Sequence, residues 1–248
     1  MRLFLPIAAS CALLGCHVGG EAPLDAGTDA GVDAGIDAGT SAPQTFAFSF
    51  DGGAQGWTAR FADYPPGAET FYELDAGWQP LTAPLVGNGL AVSGNNHSDT
   101  LFMYAERKVH GLQSMRTYRV DAEVEFATHA GTSCTGVGGA PGESVYVKLG
   151  AADHAPLRTV VGANYQVDIS KGDQALEGTA MTNAGDLANG SLDCSGSTWR
   201  LKTATKPIAT RVKAAADGSV WLLFGTDSGF EGRTTVIYTR ARFTLVPE

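Results

Sequence analysis

The strongest constraint on the fold of this chain is the strict alternation of charged and apolar residues from position 119 to position 126. A β-strand points successive side chains to opposite faces, so a period of two predicts a strand with one face in a core and the other in water. Half-buried strands of this kind are typical of antiparallel sheets. The charged members are Arg119, Asp121, Glu123 and Glu125, and the apolar members are Val120, Ala122, Val124 and Phe126.

Residues 45–50, 144–149 and 237–245 show the same alternation and are predicted to be strands. Residues 220–224 are apolar on both faces, which predicts a central strand. Weaker strand patterns lie at 90–93, 101–109, 165–169, 199–202 and 210–214. The side chains expected on the inward faces are Phe46, Phe48, Phe50, Val145, Val147, Leu149, Ile237, Ala241, Phe243 and Leu245, and those expected on the outward faces are Tyr146, Lys148, Tyr238, Arg240, Arg242 and Thr244.

Turn-forming clusters such as Gly138-Gly139-Ala140-Pro141-Gly142 separate these segments. No segment shows a convincing helical period over more than about ten residues. Many short strands with glycine-rich turns predict an all-β fold, an antiparallel β-sandwich or a barrel. With no second linker in the pattern, we expect one domain over residues 45–248.

The N-terminal segment resembles the signal sequence of a bacterial lipoprotein. The almost wholly apolar run over residues 3–14 is too short to span a bilayer but suits a signal-peptide core. Leu13-Leu14-Gly15-Cys16 resembles a lipobox. The resemblance implies a signal peptide over residues 1–15, an acyl (palmitate-type) membrane anchor on Cys16 and a location in the bacterial cell envelope. A histidine rather than an aspartate after this cysteine implies the outer membrane. An ordinary secretory signal with an incidental cysteine is the alternative.

Residues 16–44 are expected to form a disordered tether. Asp-Ala-Gly occurs four times, beginning at Asp25, Asp29, Asp33 and Asp37. Each glycine would cost a helix about 1 kcal/mol, and aspartates four residues apart would repel one another on one helical face. A flexible coil of this length spans on the order of 30 Å.

Cys134 and Cys194 are the cysteines that remain once Cys11 leaves with the signal and Cys16 carries lipid. An even pair in an exported chain predicts a disulfide. Two free thiols or a shared metal ion are the alternatives.

The charge balance is acidic, with 26 Asp and Glu against 17 Lys and Arg and a formal net charge of −9. Binding to nucleic acid or to anionic lipid depends on a basic surface. The composition therefore argues against a nucleic-acid partner and against electrostatic docking on a membrane.

Two groups of motifs resemble jelly-roll carbohydrate-binding modules of the galactose-binding-like type. Phe50-Asp51-Gly52-Gly53 followed by Gly56-Trp57 is similar to their opening strand and loop. Val109-His110-Gly111-Leu112 with Thr117-Tyr118-Arg119-Val120 is similar to a hairpin in the middle of those domains. The resemblance implies an all-β fold in the form of an antiparallel, jelly-roll-like β-sandwich that binds glycans, without a resident cofactor other than structural calcium. The last strand lacks the carboxylate that often binds this calcium, and Asp51 and Asp99 are the candidate calcium ligands.

The aromatic stretch over residues 61–78 is the first candidate for ligand binding. Tyr64, Tyr72 and Trp78 could stack on the flat faces of sugar rings. The alternative is that these rings pack as a flap over the sandwich.

Asn96, Asp99 and Asp227 are the candidate polar partners of such a ligand, since amide and carboxylate oxygens hydrogen-bond hydroxyls or bind calcium. Asn96 and Asp99 belong to a dense polar loop at 95–99. The alternative is a turn in which Asn and Asp side chains satisfy their own backbone.

We expect a non-catalytic binding module, and a hydrolase of polysaccharides is the runner-up. Paired carboxylates carry out glycoside hydrolysis, and Glu143, Asp227 and Glu231 lie in glycine-rich loops. A component that recognises another envelope protein is a third hypothesis and would need an exposed apolar patch.

Overall fold

A computed structural model of the chain describes residues 42–248. The expected signal peptide, Cys16 and nearly all of the expected tether lie outside the described residues. Residues 42–248 contain no helix that is long and apolar enough to cross a membrane. They form one short 3-10 helix, Phe50–Gly52, and thirteen strands: β1 Gln44–Ser49, β2 Thr58–Ala62, β3 Asp75–Pro80, β4 Asn88–Asn95, β5 Phe102–Val109, β6 Thr117–Thr128, β7 Val145–Ala152, β8 Arg158–Val161, β9 Asn164–Val167, β10 Met181–Asp186, β11 Arg200–Lys213, β12 Val220–Ser228 and β13 Arg233–Pro247.

Two antiparallel sheets contain eleven of these strands. Sheet A has the order β11-β6-β13-β4-β3, with β1 paired to the second half of β13, and sheet B has the order β10-β7-β12-β5-β2. Strands β8 and β9 form a separate hairpin. The chain passes between the sheets at each connection from β4 to β7 and from β10 to β13. The predicted antiparallel β-sandwich is confirmed, and β12, which begins with the doubly apolar segment, is central in sheet B as expected.

The main core lies between the two sheets, and Trp57 connects them. Its ring centroid is 4.5 Å from that of Phe224 on β12 and 6.0 Å from that of Phe243 on β13. Trp57, Phe224 and Phe243 are all buried. The predicted inward faces of β6 and β7 are confirmed, since all seven apolar members are buried in this core: Val120, Ala122, Val124, Phe126, Val145, Val147 and Leu149.

A bulge in β13 reverses part of its predicted pattern. The register with β6 shifts between Tyr238 and Arg240, which leaves Thr239 as an extra residue. Tyr238, expected outward, is therefore buried in the main core beside Ala241. Ile237, expected inward, packs in a separate small cluster. Unbroken alternation predicts the wrong face for both residues because it cannot register an inserted residue.

The second face of sheet B is also covered. Leu223 points away from the main core and packs with Phe102 and Tyr104, whose rings stack 4.8 Å apart. Ile169, from the connection between β9 and β10, closes this cluster. The same connection covers Lys148, which was expected to point outward: it has no exposed surface, and its Nζ donates a hydrogen bond to the carbonyl of Leu176.

The disulfide between Cys134 and Cys194 is present, with a Cα–Cα distance of 5.6 Å. It joins the loop after β6 to the loop before β11. The predicted pairing is confirmed.

Candidate functional site

A pocket of about 410 Å³ lies beside strand β9. One wall is strand β9 of the β8–β9 hairpin, the second is the segment from Ile169 to Asp173, and the third is formed by Asp63 after β2 and Thr100 before β5. We call it the hairpin pocket. Its full lining is Asp63, Thr100, Asn164, Gln166, Val167, Ile169, Ser170, Lys171, Gly172 and Asp173.

Lys171 is the central cation of the hairpin pocket, and its ammonium group is fully used. Nζ lies 2.7 Å from Oδ2 of Asp227 and 3.0 Å from Oδ2 of Asp63, and it donates to the carbonyl of Gly172 at 3.2 Å. A lysine ammonium has three N–H donors and no acceptor. Three partners therefore account for all three donors.

Asp227, at the end of β12, holds this arrangement from behind. It has no exposed surface, and its Oδ2 also accepts the backbone N–H of Gln174 at 3.0 Å. The other oxygen, Oδ1, is buried without a hydrogen-bond partner among residues 42–248. Asp227 is a structural counter-ion beneath the pocket, and it is not part of the lining.

Burial and charge act in opposite directions on these groups. Burial raises the pKa of Asp227 and of Asp63 above their ordinary value, and Lys171 opposes the increase in both. Burial would lower the pKa of Lys171, but Asp227 and Asp63 together raise it. The lysine therefore stays charged across the physiological range.

Three lining side chains have free hydrogen-bonding groups. Asn164 and Gln166 come from β9, and Asp173 follows the turn at Gly172. Within the described part of the chain, these side chains form no hydrogen bond and no ion pair. By contrast, Thr100 Oγ1 donates to the carbonyl of Asp63. The hairpin pocket thus offers two amides and one carboxylate to a ligand.

The expected stacking role of Tyr64 and Tyr72 is not supported by their positions. Both rings are buried, at 1% and 3% exposure, and they pack 5.6 Å apart. The Tyr64 hydroxyl is fixed by Glu69 and Arg158, and burial raises its pKa to about 12. These rings form a flap, the alternative considered for this stretch, because their apolar area is more stable inside the protein than in water.

Trp78 keeps 48% of its surface exposed on edge strand β3 of sheet A. Its Nε1 donates a hydrogen bond to the carbonyl of Phe50. Trp78 does not line the hairpin pocket, so the expected group of three stacking rings does not form.

Asn96 and Asp99 are linked to the segment around Asp227 by hydrogen bonds through other residues. Asn96 is buried, and its amide donates to the carbonyls of Ser228 and Phe230, both at 2.9 Å. Gln174 links the other two residues, since its side chain donates to the carbonyl of Asp99 and its backbone N–H to Asp227. The buried amide of Asn96 therefore joins its loop to the segment at the end of β12, and it is not available to a ligand.

The remaining candidate residues have local partners or lie elsewhere. Glu143 accepts the backbone N–H of Ser133 through Oε1, and Glu231 lies in an isolated β-bridge with Val137. Asp51 accepts hydrogen bonds from Asn88. In the described residues, no group of three or more His, Cys, Asp or Glu is placed to hold a metal ion. Calcium at Asp51 or Asp99 stays a prediction.

The residues of the hairpin pocket gave little signal in the sequence. Lys171 and Asp173 flank Gly172, whose φ of +74° favours a glycine, and this pattern predicts only a turn. Asn164 and Gln166 face the pocket because β9 packs beside residues 63 and 64, where Asp63 N bonds to Tyr165 O and Tyr165 N to Tyr64 O. No local sequence pattern reports that contact.

No protein-family model matches the chain, and no curated protein matches it. Solved structures with some similarity include the CBM22-1 xylan-binding domain of Paenibacillus barcinonensis Xyn10C, at 14% identity over 84% of this chain and 97% of that domain, with a TM-score of 0.37. TmCBM61 in complex with β-1,4-galactotriose is 11% identical over 81% of this chain and 94% of that one, with a TM-score of 0.33.

A cyclase from Fischerella sp. in its apo form is equally similar, at 14% identity over 83% of this chain and 88% of that one, with a TM-score of 0.37. At such low identities and TM-scores these likenesses carry no argument about this chain. Its fold is established by its own strands and their pairing, and its candidate site by the hairpin pocket.

Proposed function

We propose that this protein is a non-catalytic glycan-binding module whose ligand occupies the hairpin pocket. The proposal is carried by three side chains that line this 410 Å³ pocket and form no hydrogen bond or ion pair within the described residues: Asn164, Gln166 and Asp173. Sugar hydroxyls both donate and accept hydrogen bonds, and an amide side chain offers both functions. A volume of this size is within the range of small-ligand sites, about 300–1,000 Å³.

The arrangement favours binding over hydrolysis. Of the three carboxylates at or beneath the pocket, Asp173 has no ion pair among the described residues, whereas Asp63 and Asp227 are both bonded to the Lys171 ammonium. Glycoside hydrolysis needs two carboxyl groups on either side of the scissile bond. The Lys171 nitrogen occupies the space between these two, so a glycosidic oxygen has no place there.

The test is a glycan array probed with the full chain in detergent, followed by calorimetry on the best glycan. Asn164→Ala and Gln166→Ala should each weaken binding about two- to tenfold, the effect of losing one hydrogen bond between neutral groups. Gln79→Ala is the matched control, because Gln79 is an exposed amide on β3 of sheet A.

Absence of binding to every glycan would contradict the proposed function. Full affinity in both pocket variants would leave glycan binding intact and show that the hairpin pocket is not the site.

We also propose that lipid on Cys16 anchors the module in the bacterial envelope, at the outer membrane. The support is the sequence Leu13-Leu14-Gly15-Cys16. Several buried acyl CH₂ groups, each contributing about 0.8 kcal/mol, would hold the chain firmly. Labelling with radioactive palmitate in a Gram-negative host should mark the wild type and Cys11→Ser but not Cys16→Ser. An unlabelled wild type would rule out the anchor.

A further inference from the structure

We infer that the hairpin pocket prefers amino sugars, in their cationic form, to acetylated or acidic sugars. This inference rests on the proposed function, since it names the class of glycan that the same pocket takes. It follows from which charges in the pocket are already paired.

The cation of the pocket is not available to an acidic ligand. The three N–H donors of Lys171 go to Asp227, Asp63 and Gly172, as described above. A carboxylate or sulfate on a sugar would have to displace a buried aspartate to reach this ammonium. Lys171 is the only Lys or Arg among the lining residues that the structure describes.

The free charge of the pocket is negative. Asp173 is exposed and has no ion pair within residues 42–248. It lines the same pocket as Asp63. Burial is the main cause of the raised pKa of Asp63, and the charge of Asp173 adds a smaller increase. A ligand ammonium could pair with Asp173, whereas a ligand carboxylate would be repelled by it.

Two neighbouring cations, Lys148 and Arg158, do not make the free charge of the pocket positive. Lys148 is fully buried with its Nζ bonded to Leu176 O, so it cannot reach a ligand. Burial lowers its pKa, and the charges of Asp227 and Asp173 oppose that decrease. Arg158, on β8, is bound to the hydroxyl of Tyr64 and lies over the ring of Tyr165, 4.0 Å from its centroid. Both cations are committed to internal partners.

The experiment compares three tetrasaccharides by calorimetry on the full chain in detergent: a glucosamine tetramer, its N-acetylated counterpart and a galacturonate tetramer. The glucosamine tetramer should bind about two- to fivefold more tightly than the acetylated one, the effect of one exposed ion pair, and the galacturonate should bind weakest. The preference should decrease as salt rises, because salt screens exposed charges.

Asp173→Asn should remove the preference for the amine and leave the affinity for the acetylated tetramer within twofold. Asp75→Asn is the matched control, an exposed carboxylate on β3 of sheet A, and should retain the preference. Equal binding of amino and acetylated tetramers overturns the inference while the glycan-binding function stands. Tighter binding of galacturonate, or a preference that persists in Asp173→Asn, also overturns it. If no saccharide binds, the proposed function fails and the inference fails with it.

Discussion

Lys171 Nζ lies 2.7 Å from Oδ2 of Asp227, a carboxylate with no exposed surface. Because Asp227 belongs to the central strand of sheet B and Lys171 to the connection between β9 and β10, this pair fastens the wall of the hairpin pocket to the sandwich. The pocket therefore depends on a buried ion pair, and its strength can be measured.

Lys171→Met should lower the free energy of unfolding by about 3–5 kcal/mol, since it leaves Asp227 buried without its counter-ion. Denaturation by urea measures the change. Lys213→Met, at an exposed position at the end of β11, should stay within about 0.5 kcal/mol of wild type. Equal stabilities of the two variants would show that the Lys171 pair is not structurally important.

Tyr72→Ala should destabilise the protein by about 3–5 kcal/mol, because it removes a ring that is 3% exposed in the core. Phe71→Ala, one residue earlier, should cost far less, because Phe71 is 64% exposed. Thermal or urea unfolding separates the two. A larger cost at Phe71 than at Tyr72 would contradict the burial of the flap described above.

Replacing Cys134 and Cys194 together by serine should lower the free energy of unfolding by up to about 4 kcal/mol, since the disulfide closes a loop of 60 residues in the unfolded chain. Urea denaturation with and without reductant provides the measurement. Reductant should lower the free energy of unfolding of the wild type to about that of the double variant. It should leave the value for the double variant unchanged. A wild type indifferent to full reduction would contradict the expected contribution.

The two histidines His154 and His129 should titrate on opposite sides of the ordinary value of 6.5. Hydrogen bonding to Asp153, and the charges of Asp168 and Asp153, raise the pKa of His154, whereas burial lowers that of His129. The contribution of His154 to stability is complete below its unfolded pKa and is lost as pH rises through the higher folded pKa. Proton NMR of the ring resonances measures both.

Asp168→Asn should move the pKa of His154 downward and leave that of His129 in place, because only His154 lies against this carboxylate, 3.4 Å from Oδ2. A titration of His154 below that of His129 would contradict the contacts at both rings.

Local pattern was sufficient for strands that contain no inserted residue of their own, such as β6 and β7, whose register shifts all lie in the neighbouring strands. The apolar residues of β6 and β7 are buried as the alternation predicts, and Phe50 and Trp57 occupy core positions. The disulfide followed from counting cysteines in a chain that is expected to be exported. Each of these features depends on period or composition, which a single sequence records directly.

The faces of Tyr238 and Ile237 depended on one extra residue, Thr239, opposite β6. Its hydroxyl donates to the carbonyl of Glu125 and so bonds to the neighbouring strand at the bulge. The alternation in β13 alone does not show which strand will lie beside it, so the bulge could not be predicted from it.

An antiparallel β fold could be predicted within residues 45–248 because several segments alternate with a period of two. The pairing of Cys134 with Cys194 could be predicted because the number of cysteines leaves these two for each other. The three-dimensional structure was needed to show that Tyr64 and Tyr72 are internal and that Lys171 meets Asp63 and Asp227. Along the chain, Asp63 lies 108 positions before Lys171, and Asp227 lies 56 positions after it. Burial and charge pairing arise from contacts between distant segments, and no local pattern contains them.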